Sequence, residues 1–269
     1  MRLQIGYFLI LFAGGLLAFH APPERSPQTP SGKAPEGMIR IPAGRYTPFY
    51  SVNNDANTKQ DVAVKSFFLD DKPVTNAEFL TFVKANPQWA RSRIPALFAD
   101  SGYLKHWKGD LEIGNIQIEN SPVSNISWFA ANAYSKWKGL RLPTLQEWEY
   151  AANAAPTGEN KSVKEIILAW YSQPSRKTLP VAGSVFRNEF GLYDMHGSVW
   201  EWVYDFNSIV MGGDSRSNSA VQRELFCASA AFGAADREDY ASFMRFAFRG
   251  SLKARYTVSN LGFRCAKDL

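Results

Sequence analysis

The chain has 269 residues, enough for one large domain or two small ones, and 45% of them are hydrophobic, so a sizeable core is available. Its formal charge of +5 is modest, and no Lys/Arg run reaches the length of a nucleic-acid patch, so nucleic acid is excluded as the expected partner. Two cysteines make at most one disulfide, which rules out a disulfide scaffold.

Residues 1–21 read as an export segment. Arg2 is the single early charge, and Ile5 to Phe19 carry no charged side chain. The run matches a signal-peptide core and falls short of the ~20 residues of a spanning helix. Phe19 and His20 make a poor cleavage site, so a cleaved signal and a retained anchor both stay open. No Cys follows the run, which excludes a lipoprotein anchor. The expected location is the periplasm or the outer face of a membrane, with membrane contact only through this segment. Residues 22–36, with five prolines, form a linker that buries too little surface to order itself. One domain is expected over 37–269.

Within it, Val62 to Asp70 alternates and then runs apolar, which predicts a strand. Thr75 and Glu78 form a capping-box pair ahead of a helix to Lys84, with Phe79, Phe82 and Val83 on one face. Residues 86–120 carry prolines and glycines and read as mostly loop. Ser127 caps a second helix that presents Ala131, Tyr134 and Lys138 on one face and stops at Gly139. Thr144 and Glu147 repeat the capping-box spacing for a third helix, through about Ala154. Loop and short strand follow. There is no internal repeat and no βαβ rhythm.

The stretch Gly191-Leu192-Tyr193-Asp194-Met195-His196-Gly197-Ser198-Val199-Trp200-Glu201-Trp202 reads as a tight loop. Gly191 and Gly197 supply positive φ. Asp194 and Glu201 put carboxylates at the ends of an oxygen-rich segment, a supply that suits a hard cation. A Trp-rich core turn with two solvated acids is the alternative. Of the three histidines, His20 lies in the export segment, and His106 and His196 have no metal-ligand spacing. Arg141, Glu147 and Glu149 read as an ion-pair and capping network.

That loop resembles the G-L-Y-N-x-x-G-N-x-W-E-W segment of the formylglycine-generating enzyme family, also called sulfatase-modifying factors. Three further segments agree. Gly37-Met38-Ile39-Arg40-Ile41-Pro42-Ala43-Gly44 is similar to the family's opening. Ser121-Pro122-Val123 to Ser127-Trp128, then Arg141-Leu142-Pro143-Thr144 and Glu147-Trp148-Glu149-Tyr150, resembles its central block. Ser259-Asn260-Leu261-Gly262-Phe263-Arg264-Cys265-Ala266 matches its closing block. The resemblance implies an α+β fold of low regular content with a C-type-lectin-like core. It also implies structural calcium, held by the Asp194 side chain, the Gly197 and Val199 carbonyls and the Glu201 side chain. Arg245, Arg249, Asn260 and Arg264 fall where the family lines its substrate groove.

The family's oxidase holds copper(I) on two cysteines with four residues between them. Counted back without gaps from Ser259, those places carry Asp236 and Ala241 here. Cys227 stands upstream and alone as a catalytic candidate, with copper as cofactor only in that case. Cys265 matches a structural disulfide partner of the family, and the facing position is Ser135, so that bridge is lost. Cys227 and Cys265 can pair instead, or Cys227 is a buried small residue. The segment from Cys227 to Lys253 interleaves phenylalanines with Asp236, Arg237, Glu238 and Asp239, which suits an extended peptide or partner surface and equally a core with a solvated loop. Two functions follow as expectations. One is a catalytically divergent, exported accessory or binding protein in the maturation of another exported protein or peptide. The other is an oxidoreductase of the formylglycine-generating type working through Cys227.

Overall fold

The computed structural model describes residues 34–47, 61–115, 118–158, 160–173, 178–207, 244–245 and 247–269. Seven short strands, four α-helices outside the helical residues 247–251, and a short 3-10 turn at Pro87–Trp89 are assigned among them. The central sheet has three antiparallel strands, β1 (Met38–Ile41), β4 (Phe67–Asp70) and β7 (Ala266–Asp268), with β4 in the middle. Two pairs accompany it: β2 (Gly44–Tyr46) with β3 (Val62–Val64), antiparallel, and β5 (Trp200–Trp202) with β6 (Leu261–Phe263), parallel. The chain is α+β with long connections.

The run from Val62 to Asp70 is two strands, not one. It breaks at Lys65 and Ser66, and its halves pair with different partners. Period-2 alternation cannot mark that break, because both halves satisfy it. Helix α1 (Asn76–Ala85) begins where the capping box predicts: Thr75 accepts the Glu78 N–H, and Glu78 accepts the Thr75 N–H. Helix α2 (Trp128–Trp137) is capped by Ser127, and the chain turns out of it at Gly139 with φ +68°. Lys138 closes that helix as an exposed residue. Helix α3 (Leu145–Ala152) has its own capping box, Thr144 with Glu147. A fourth helix, α4 (Val163–Tyr171), lies where loop was expected, and Ser162 with Glu165 caps it by the same device.

The core gathers between α1, α2 and β6. The Phe79 ring stacks on Tyr134 with centroids 5.8 Å apart, and Tyr134 meets Phe263 edge-on at 5.2 Å. Asn76 ties this core to the loops. Its amide donates to the carbonyls of Ile118 and Ser121, and its oxygen accepts the Trp107 indole N–H at 2.8 Å. The His106 Nε2 lies 3.0 Å from the same oxygen, while its buried Nδ1 meets no hydrogen-bond partner among the described residues; burial holds the ring down at about 4 and therefore neutral.

At the end of β4, Asp70 accepts the Cys265 N–H at 2.7 Å. Burial pushes its carboxyl up to about 7, against the pull of that N–H and of Arg264. A carboxyl raised on folding stabilises the fold below its unfolded pKa near ~4, and that contribution is lost as pH rises through about 7. Stability measured by denaturant from pH 4 to pH 8 is expected to fall across that window, and Asp70→Asn is expected to flatten the slope. A slope unchanged in the variant would place the proton elsewhere.

Candidate functional site

Three of the four residues expected in a groove are arginines, and the fold turns all three inward. Arg245 is 5% exposed, Arg249 2% and Arg264 0%. Arg245 and Arg249 stand one helical turn apart, and residues 247–251 are helical. Both reach Glu149 on α3. Arg245 donates through Nη2 to one Glu149 oxygen at 3.0 Å, and Arg249 donates through Nη1 to the other. The Arg249 guanidinium also lies 4.6 Å over the Trp148 ring. Burial alone would raise the Glu149 carboxyl, but the two facing charges outweigh it and hold it down at about 2. The expected network of Arg141, Glu147 and Glu149 is therefore split. Arg141 pairs with Glu147 through two 2.7 Å bonds, and Glu149 belongs to the two later arginines.

The third arginine acts on the loop. Arg264 donates to both oxygens of Glu201 at 2.8–3.0 Å, with both side chains fully buried. The Trp148 indole N–H completes Glu201 at 2.6 Å. Arg264 also donates to the carbonyls of Asp70 and Tyr193. At the other end of the loop Asp194 adopts φ +55° and is fully buried. Its carboxylate accepts three backbone N–H groups, from Gly183 at 2.6 Å, Val185 at 2.9 Å and Phe186 at 3.3 Å. Gly197, at φ +86°, has no room for a side chain, since a Cβ would lie 2.9 Å from Val185.

Neither acid faces water, so the solvated-acid alternative for this loop is set aside. The calcium ligand set does not fit either: both carboxylates offered for it are taken by N–H donors. Among the described residues no group of three or more His, Cys, Asp or Glu is placed to hold a metal. His196 lies inside the same core, its ring 3.2 Å from the Ala152 carbonyl, and burial lowers it to about 3.

Cys265 is the one cysteine among the described residues. It is free and fully buried, with its sulfur 3.3 Å from the Ser135 hydroxyl. Burial, with the nearby Asp70 charge, pushes the thiol well above its ordinary value, so it is not a thiolate fit for copper. Serine and cysteine thus face each other where the resemblance places a lost bridge. Cys227, Asp236 and Ala241 lie outside the described residues, as do residues 1–33.

The outward part of the expected site is Asn260 with an aromatic group that sequence reasoning did not assemble. Asn260 is half-buried, and its carbonyl accepts the Trp200 N–H at 2.8 Å. The Trp200 ring packs on Phe248 at 4.5 Å, Trp170 at 5.2 Å and Tyr171 at 5.5 Å, and all four rings are half-buried. Two of them come from α4, the helix that was missed.

Comparison with known proteins agrees with this architecture. The family model described as "Sulfatase-modifying factor enzyme 1-like domain" matches residues 23–269. The formylglycine-generating enzyme of Streptomyces coelicolor is 27% identical over 286 residues, covering 88% of this chain and 90% of that protein. The inactive C-alpha-formylglycine-generating enzyme 2 of Mus musculus is 27% identical over 280 residues, covering 86% of this chain and 85% of that protein. The serine/threonine-protein kinase pkn1 of Chlamydia caviae is 30% identical over 230 residues, 80% of this chain, and the chain spans only 35% of that kinase. With a model match across nearly all of its length and these buried ion pairs at its centre, the chain belongs to the family of the sulfatase-modifying factor enzyme 1-like domain.

Proposed function

We propose that this chain is a catalytically divergent member of the family, an exported accessory protein that binds a peptide segment of another exported protein during its maturation. One observation carries the reading: counted back without gaps from Ser259, the two places of the family's copper-binding thiols carry Asp236 and Ala241, which cannot donate sulfur, and the chain has no pair of cysteines at that spacing anywhere. The buried, protonated Cys265 is no substitute. A relative named inactive, 27% identical along most of its length, supports the idea that the fold outlives the oxidation. The half-buried rings of Trp170, Tyr171, Trp200 and Phe248 beside Asn260 supply flat apolar area and an amide, a combination that suits an extended peptide.

The test is conversion of a C-x-P-x-R peptide by the purified, copper-loaded protein. No aldehyde is expected by mass spectrometry above a heat-killed control. Aldehyde formation lost in Cys227→Ser would establish the oxidoreductase instead, with copper as its cofactor.

A further inference from the structure

The loop that resembles a calcium site is held here by a protein cation. We infer that Arg264 does the work of the ion, so that this chain folds and keeps its 191–202 loop without calcium. The inference is independent of the binding role proposed above.

Three observations carry it. First, both oxygens of the Glu201 carboxylate are engaged. The Arg264 Nε–H is shared between them, the Arg264 Nη2–H and the Trp148 indole N–H add one bond to each, and both partners of the ion pair are fully buried. A guanidinium fork on a carboxylate is directional and cannot share those lone pairs with an ion at bonding distance. An entering cation would have to expel Arg264 and leave a guanidinium buried without its counter-charge, which is strongly unfavourable.

Second, Arg264 fixes the loop at two points and anchors it to the rest of the fold. Besides Glu201 on β5 it holds the Tyr193 carbonyl inside the loop and the Asp70 carbonyl at the end of β4. One side chain thus joins the loop, the parallel pair and the central sheet.

Third, the Asp194 carboxylate, which a cation would need as its other anionic ligand, serves a different segment. Three consecutive-region N–H groups, at residues 183, 185 and 186, close around it, and the residue is fully buried. Its left-handed backbone aims the side chain back at that turn. Each acid therefore fixes its own piece of chain, and neither is left for a metal.

The experiment compares thermal melting of the full chain after exhaustive EGTA dialysis, with and without added calcium, and follows terbium emission sensitised by the tryptophans of the loop. No shift in melting temperature and no sensitised emission are expected. A melting temperature raised by calcium, with terbium emission competed by calcium and lost in Asp194→Asn, would overturn the inference. Arg264→Lys separates the readings further. The clamp requires this variant to melt lower by the same amount with and without calcium. If calcium restores Arg264→Lys to the wild-type melting temperature, the ion and not the arginine holds the loop. Should Arg264→Lys fail to fold in either condition, the wild-type comparison alone decides.

Discussion

Glu149→Ala is expected to cost about 3–5 kcal/mol, because it removes the carboxylate that two buried guanidinium groups share. For a domain of this size that loss lowers the melting temperature by roughly 10 °C. Arg245 and Arg249 are almost entirely inside, so water cannot take over from the lost carboxylate. The exposed pair Lys108–Glu112 is the control: both partners are more than half in solvent, and Glu112→Gln is expected to change nothing measurable. The pH dependence carries the same sign. A carboxyl held down at about 2 in the fold stabilises it above the unfolded pKa near ~4.3, and that contribution is lost as pH falls through about 2. Acid unfolding of wild type followed by circular dichroism is expected to show this loss, and Glu149→Gln, already destabilised at neutral pH, is expected to lack it. A Glu149→Ala protein that melts with the wild type would show the cluster to be dispensable.

Ser135→Cys is expected to form a disulfide with Cys265 and to stabilise the fold by about 2–4 kcal/mol. The serine oxygen and the cysteine sulfur are already 3.3 Å apart, so the sulfurs need approach by only about 1 Å to reach bonding distance. The closed loop spans 130 residues, which puts the loss of unfolded-state entropy at the upper end of the usual range. The variant gives up the Ser135 bond to the Ala131 carbonyl, a minor cost within α2. Non-reducing mass spectrometry and melting with and without reductant check it. Two free thiols in oxidised protein would mean that the Cβ directions are wrong for a bridge.

How far the sequence alone reached depends on the range of each interaction. Helices α1, α2 and α3 were legible because a cap and a hydrophobic face are decided within one or two turns. Helix α4 announces itself by the same Ser162–Glu165 spacing and by Val163, Ile166, Ile167 and Trp170 at helical spacing, so its signal was as local as that of the other three. The break at Lys65 depends on which strand each half meets, and no local pattern records that. The site was legible as residue types and not as partners. Glu149 meets arginines about a hundred residues later, and Glu201 meets Arg264 across 63. A carboxylate in a loop looks the same on paper whether a metal or a guanidinium faces it.

The placement of β7 has a consequence for how the chain is made. The central strand β4 stands between β1, some thirty residues earlier, and β7, nearly two hundred residues later. Both β6 and Arg264 belong to the same late segment, so the third strand of the sheet, the parallel pair and the clamp all wait for residues 261–268 to be synthesised. Up to that moment the nascent chain can form its capped helices, but it cannot close around them, since contacts of such long sequence separation form slowly. A polypeptide with that order of events stays open, with the apolar faces of its helices uncovered, until residues 261–268 emerge.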